Sequence, residues 1–185
     1  MALTKTPVCD FGKKAKNFKL KSINNKVITL NDIKGEKATL IMFICNHCPY
    51  VKAIIKDLAK DCNELKNDGI SSVAIMSNDT KNYPEDSFDN MMKFAESNNF
   101  RNINYLFDET QEIAKKYGAV CTPDFFGYNR NLELQYRGRF RELKDLKPIN
   151  NGDSDLKIAM KMVAQTQKGP DEQIPSMGCN IKWFS

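Results

Sequence analysis

The period of apolar and polar positions changes several times along the chain. Ala38-Thr39-Leu40-Ile41-Met42-Phe43-Ile44 is an almost unbroken apolar run, which predicts a strand buried on both faces. From Pro49 the spacing turns helical. Val51, Ile54, Ile55, Leu58, Ala59, Cys62 and Leu65 recur every three or four residues until Asn67-Asp68-Gly69 stops them. Ile70-Ser71-Ser72-Val73-Ala74-Ile75-Met76 predicts a second strand. Strand, helix and strand make a βαβ unit, right-handed by the usual connection rule. Sites in such sheets gather beyond the carboxyl ends of the strands, so Ser77-Asn78-Asp79 is expected at the same rim as Cys45.

Residues 11–37 read as a preface. Phe18-Lys19-Leu20 and Val27-Ile28-Thr29-Leu30 flank the turn signal Asn24-Asn25, which predicts a hairpin. Cys9 lies in a terminus expected to be mobile. Residues 82–87 read as a loop, followed by a helix with Phe88, Met91, Met92 and Ala95 turned inward. Tyr105-Leu106-Phe107 is a short strand. Asp108 is expected to cap the next helix, with Gln111 completing a capping-box-like pair. Residues 125–137 predict a hairpin with Leu132, Leu134 and Tyr136 on one face. Residues 138–153 read as a surface loop, and a last helix runs from about 155 to 167. The tail at 175–184 is apolar for a terminus and is expected to dock on the body. These elements fit one domain over 1–185, with the docked tail at about 170–185.

The chemistry concentrates at Cys45-Asn46-His47-Cys48, where the buried strand turns into the helix. Unpartnered N–H groups and the macrodipole at a helix start stabilise a thiolate, in known cases to a pKa of roughly 3.5–7.5. With Cys45 at or just before the helix start and Cys48 deeper, Cys45 is expected to attack a disulfide and Cys48 to resolve it. His47, the one histidine, would favour the Cys45 thiolate as an imidazolium. A zinc hook is the weaker reading, because no second C-x-x-C or His pair supplies the remaining ligands, although Cys121 and Cys179 could. Cys62 falls on the apolar helix stripe and reads as core.

Composition narrows the class. With 185 residues and 41% hydrophobic content, the chain can bury a full core without disulfide staples. The net charge of +5 is spread over scattered lysines. The densest group, Lys13, Lys14, Lys16, Lys19 and Lys21, reads as the solvated face of an early strand, so no nucleic-acid partner is expected. No apolar run is long enough for a bilayer and Met1-Ala2-Leu3-Thr4-Lys5 opens no signal pattern. A cytoplasmic location, without a membrane partner, is the expectation.

The order of elements, with Thr122-Pro123 before a hairpin and a final helix, resembles the thioredoxin fold. That is a three-layer α/β/α fold, here with an N-terminal β-hairpin and an inserted helix-strand-helix of the redoxin and peroxiredoxin branch. Phe43-Ile44-Cys45-Asn46-His47-Cys48-Pro49-Tyr50-Val51-Lys52, Leu106-Phe107-Asp108-Glu109-Thr110-Gln111, Cys121-Thr122-Pro123-Asp124-Phe125-Phe126 and Gly178-Cys179-Asn180-Ile181-Lys182-Trp183 resemble bacterial peroxiredoxin-like thioredoxin-family proteins. The resemblance implies a cis Pro123 facing the redox pair. Thr122 would then offer backbone hydrogen bonds to an extended substrate, with Asn46 beside it. It also aligns a peroxidatic T-x-x-C-P frame with Cys45 to Pro49, which puts Cys48 in the peroxidatic place and Cys45 in place of the threonine. Arg137 and Arg139 are then the candidates for the arginine such a site needs. Thioredoxins carry a buried acid in the strand before the pair; residues 38–44 have none, so Asp79 and Asp108 are the candidate substitutes. Cys121 and Cys179 are possible accessory thiols, Cys179 as a second resolving cysteine.

Three functions compete. The first is a thiol–disulfide oxidoreductase acting on a protein or small-molecule disulfide and recycled by a cellular thiol reductant such as thioredoxin. The second is a thiol peroxidase with Cys48 peroxidatic and Cys45 resolving. The third is a non-catalytic module that holds a peptide in the same groove. No metal or organic cofactor is implied, and the oligomeric state is left open.

Overall fold

The computed structural model describes residues 2–185. In chain order the elements are β1 (Leu3–Lys5), β2 (Lys19–Ser22), β3 (Val27–Thr29), α1 (Leu30–Ile33), β4 (Ala38–Phe43), α2 (Pro49–Leu65), β5 (Ile70–Met76), α3 (Phe88–Ser97), β6 (Ile103–Phe107), α4 (Glu112–Tyr117), β7 (Cys121–Thr122), β8 (Asp124–Asn129), β9 (Leu134–Tyr136), β10 (Leu143–Lys144), β11 (Lys147–Pro148), α5 (Asp155–Thr166) and β12 (Met177–Asn180). Seven strands form one sheet in the order β3-β2-β6-β5-β4-β8-β9. β5 runs parallel to β4 and β6, while β8 returns antiparallel to β4.

The almost unbroken apolar run of β4 has a simple cause. Ala38, Leu40 and Met42 enter one core with α2, α3 and α5, while Ile41 and Phe43 enter a second core with α1 and α4. A strand covered on both faces takes apolar side chains at nearly every position, and the buried exception, Thr39, accepts from the Gly35 N–H at 2.9 Å. β5 divides likewise, with Ile70, Ala74 and Met76 on the first side and Val73 and Ile75 on the second. The three layers, the βαβ unit, the N-terminal β2–β3 hairpin and the inserted α3-β6-α4 together make a thioredoxin-like α/β fold. Among the described residues, no helix is long and apolar enough to cross a membrane.

Several local expectations need correction. The N-terminal segment is not loose: β1 pairs with β12, and Cys9 is half-buried against the second core. Met91 is buried, but Met92 points to solvent at 38% exposure, because it sits one helical position off the apolar stripe. Leu134 and Tyr136 do not share a face. A bulge opposite Gly127 and Tyr128 shifts the register, so Leu134 joins the second core and Tyr136 the first. The segment at 138–153 carries a small hairpin, β10–β11. Finally, Asp108 and Gln111 do not form a capping box. Asp108 accepts from the N–H groups of Ile113 and Ala114, at 3.2 and 2.9 Å, and from Ser77. Gln111 holds the tail instead: its amide donates to the carbonyls of Ser77 and Lys182 and accepts from the Phe184 N–H.

The tail does dock. β12 lies between β1 and β7, in a second sheet of order β1-β12-β7. Ile181 is buried in the second core, and Lys182 N–H donates to Asn78 Oδ1.

Candidate active site

Pro49 opens α2, which makes Cys48 its N-cap residue and leaves Cys45 three residues further out. Pro is favoured at the first helical position because its missing N–H has no partner there. The helix field therefore acts on Cys48. The Cys48 sulfur receives the Cys45 thiol, the Cys179 thiol and the backbone N–H groups of Val51 and Cys179, which together lower its pKa to about 4 against the opposing effect of burial. The Thr122 carbonyl, 3.1 Å away, accepts the proton when Cys48 is a thiol. One acceptor against four donors leaves the thiolate favoured.

Cys45 moves the other way. Its thiol donates to Cys48, it is buried, and the Asp86 carboxylate stands close; all three raise its pKa well above the ordinary value. The electrostatics thus favour the Cys48 sulfur as the thiolate, whereas the sequence pointed to Cys45. Cys45 Sγ also lies 3.3 Å from Thr122 Oγ1. The Thr122-Pro123 peptide bond is cis, as the resemblance implied.

The acid at the site is Asp86, not Asp79 or Asp108. Asp79 closes its own turn by accepting from Lys81 and Asn82, and Asp108 caps α4. Asp86 is fully buried and accepts from the Asn46 N–H at 2.8 Å, the His47 N–H at 3.3 Å and Asn78 Nδ2 at 2.8 Å. His47 Nδ1 is 2.7 Å from its Oδ2, and the imidazole stacks on Tyr83. His47 therefore faces a carboxylate, which offsets any support its charge would give a Cys45 thiolate. Cys45, His47 and Asp86 bring three possible metal-ligand atoms within 4.8 Å of one another. No hydrogen bond joins the Cys45 thiol to either group, so proton exchange between Cys45 and the Asp86–His47 pair would need one bridging water. Asn46 positions the loop rather than facing a substrate: its amide donates to the Glu85 carbonyl and accepts from the buried Tyr105 hydroxyl.

The other candidates separate. Arg137 forms a two-bond pair with Asp124, and Arg139 pairs with Asp155 and Glu142, so neither guanidinium donates to a cysteine. Cys121 is buried, its thiol 3.5 Å from the Pro123 carbonyl, and burial raises its pKa. Cys62 is core, held up to about 12 by burial. Cys179 does meet the pair, with its sulfur 3.1 Å from that of Cys48. Beside Pro123 and Tyr50, a cavity of about 480 Å³ is lined by Ile54, Phe140 and Met177.

Asp86→Asn keeps the shape and removes the charge. The Cys45 pKa is expected to fall, because the nearby negative charge of Asp86, one of the causes holding it up, is gone. Alkylation against pH, compared between Cys48→Ser and the double variant with Asp86→Asn, measures it; superimposed curves would discount the carboxylate.

The model of the AhpC/TSA family matches residues 11–140. No curated protein matches the chain. An uncharacterized conserved protein from Geobacillus kaustophilus is 40% identical, with a TM-score of 0.94 over 100% of this chain and 97% of that one. A hypothetical protein from Sinorhizobium meliloti is 36% identical, with a TM-score of 0.90 over 98% and 99% of the two chains. The thioredoxin domain of a thiol-disulfide oxidoreductase from Bacteroides vulgatus shares the fold at 17% identity, with a TM-score of 0.59 over 70% of this chain and 89% of that one. The helix-capping cysteine, the cis-proline loop opposite it and the family match over most of the length agree: this chain belongs to the AhpC/TSA family, in the thioredoxin fold.

Proposed function

We propose that the protein is a thiol–disulfide oxidoreductase in which Cys48 is the attacking thiolate and Cys45 the resolving thiol. The observation that carries this reading is the Cys48 sulfur at the start of α2, surrounded by donors. The Cys48 thiolate attacks a disulfide and one substrate sulfur leaves as a thiolate. Cys45 then passes its proton through one bridging water to the Asp86–His47 pair and attacks the Cys48 sulfur of the mixed disulfide. The second substrate sulfur leaves and the Cys45–Cys48 disulfide forms, so the substrate gains the two electrons the protein loses. A dithiol reductant reverses the oxidation of the protein. The cavity beside Pro123 is the entry for the substrate, and β12 must lift, because both sulfurs are buried.

A second reading, thiol peroxidase, draws on the same placement: Cys48-Pro49 occupies the peroxidatic position at a helix start. Against it stands the engagement of Arg137 and Arg139 with carboxylates, which leaves a peroxide no guanidinium beside the sulfur. Mixing the reduced protein with a small disulfide and, separately, with hydrogen peroxide decides between them. Exchange predicts fast Cys45–Cys48 closure with the disulfide and slow loss of peroxide. Fast, saturable peroxide consumption with sulfenic acid on Cys48 in Cys45→Ser would reverse the ranking. Slow reaction with both would remove the catalytic reading.

A further inference from the structure

The C-terminal strand occupies a place where a substrate would be expected. β12 runs antiparallel to β7, with Cys179 opposite Thr122 and Asn180 opposite Cys121. That is the edge beside Pro123, where backbone hydrogen bonds are available to an extended partner. The approach is close: a Cβ on Gly178 would collide with the Thr122 carbonyl oxygen and crowd the Pro123 ring. Ser176 Oγ donates to the Pro123 carbonyl at 2.8 Å, which anchors the strand just ahead of this point. The register delivers the Cys179 sulfur to 3.1 Å from that of Cys48. Cys48 therefore touches two thiols, Cys45 on its own loop and Cys179 on the strand.

We propose that Cys179 is a third redox-active thiol, which takes over the Cys45–Cys48 disulfide by attacking the Cys48 sulfur, so that β12 acts as a substrate strand built into the chain. This rests on Cys48 being the nucleophile of the proposed oxidoreductase. The step balances without any outside oxidant. The Cys179 thiolate bonds to the Cys48 sulfur, the Cys45–Cys48 bond breaks, and Cys45 leaves as a thiolate that takes up the proton Cys179 gave up. One disulfide is consumed and one is formed.

The order of events follows from the electrostatics. In the reduced protein Cys179 is held up to about 12, first by burial and then by its hydrogen bond to Cys48 and the Cys48 charge. Closure of the Cys45–Cys48 disulfide removes that charge and that acceptor. Lys182, which lowers the Cys179 pKa, stays in place. Cys179 is thus inert while Cys48 is reduced and is released to react when Cys48 is oxidised. The product ties β12 covalently across Cys48, which closes the oxidised site to a second substrate until Cys45 attacks back.

The test uses the full chain, reduced, treated with one equivalent of a dipyridyl disulfide, quenched in acid, alkylated, and mapped as non-reduced peptides by mass spectrometry. A Cys48–Cys179 pair that appears after the Cys45–Cys48 pair is the expected result. Cys45–Cys48 alone, with Cys179 fully alkylated, would overturn the inference while leaving the oxidoreductase reading intact. No disulfide on Cys48 at all would remove both. Gly178→Ala supplies the second arm. The added methyl pushes β12 off Thr122, so the Cys48–Cys179 pair should form roughly 10-fold more slowly or worse, while Cys45–Cys48 still closes. Formation of the pair at the wild-type rate in that variant would show that the strand register does not bring the sulfurs together, and the proposal would fall.

Discussion

Cys48→Ser is expected to stop turnover and to lose reactivity toward small disulfides most severely in acid. Two opposing effects set the size of the loss. At pH 5 a thiol with a pKa of about 4 is mostly thiolate. Cys45, held well above the ordinary thiol range by its hydrogen bond to Cys48, burial and the nearby Asp86 carboxylate, stays protonated there. Intrinsic nucleophilicity works the other way, since with a Brønsted slope near 0.45 the less basic sulfur is the weaker nucleophile. The ionised fraction wins in acid, because each unit of separation in pKa costs tenfold in thiolate and returns only about threefold in nucleophilicity. The rate of the first step against pH therefore carries the assignment. Wild type and Cys45→Ser should stay reactive from neutral pH down toward pH 4, and Cys48→Ser should fall tenfold for each unit below neutrality. Cys45→Ser should accumulate a mixed disulfide on Cys48. A wild-type profile that falls tenfold per unit from pH 8 downward would place the thiolate elsewhere. The same shift bears on stability. A thiol pKa depressed in the folded protein stabilises the reduced form fully above the unfolded pKa, and that contribution is lost as the pH falls through about 4. At neutral pH the reduced form gains and the disulfide does not, which makes the pair oxidising.

The position of Cys48 at the helix cap was legible in part. Pro49 is the signal: a proline just inside a helix start makes the preceding residue the cap, and that residue is Cys48. The doubly buried β4 and the amphipathic α2 could be read from period alone, because burial on two faces or one leaves a direct trace in composition. The tail was legible as docked from its apolar run, of which Cys179 and Ile181 are buried while Trp183 and Phe184 stay exposed. Its pairing was not, since strand register across more than fifty residues of chain leaves no local pattern; Gly178 is the sole trace of the close approach. Asp86 was missed for a similar reason. It sits in a polar loop before α3, and only the fold brings its carboxylate to the N–H groups of Asn46 and His47 forty residues away. The bulge that sends Leu134 and Tyr136 to opposite cores hides in a segment that alternates cleanly in sequence.

Arg137→Met is expected to destabilise the fold by about 3–5 kcal/mol, the usual result of leaving a buried charge without its partner. Asp124 is fully buried; Arg137 Nε and Nη2 donate to its two oxygens at 3.3 and 3.0 Å, and Nη2 also donates to the Gly118 carbonyl. The guanidinium lies 4.3 Å over the Phe126 ring, so methionine replaces some of the packing but none of the charge. Burial raises the Asp124 pKa, and Arg137 is the chief influence opposing it. Without Arg137 the folded-state pKa rises further above the unfolded value. A group of that sign stabilises below its unfolded pKa and loses that contribution as the pH rises through the folded one. The gap between variant and wild type should therefore be widest at neutral pH and should narrow in acid, as Asp124 becomes a neutral acid in both. Denaturant unfolding at the two pH values measures it, and a gap that stays constant would argue for lost packing instead of an unpaired charge. Asp124→Asn combined with Arg137→Met should recover part of the loss at neutral pH, because no buried charge remains. The effect should also reach the site. Asp124 Oδ2 accepts from the Val120 N–H at 3.1 Å, which ties off the turn that carries Cys121, Thr122 and Pro123. A looser turn weakens the β7 edge that holds β12, so Cys48 in Arg137→Met should alkylate faster than in wild type under conditions where both remain folded. Destabilisation with unchanged Cys48 alkylation would mean that the ion pair supports the sheet without governing access to the thiolate.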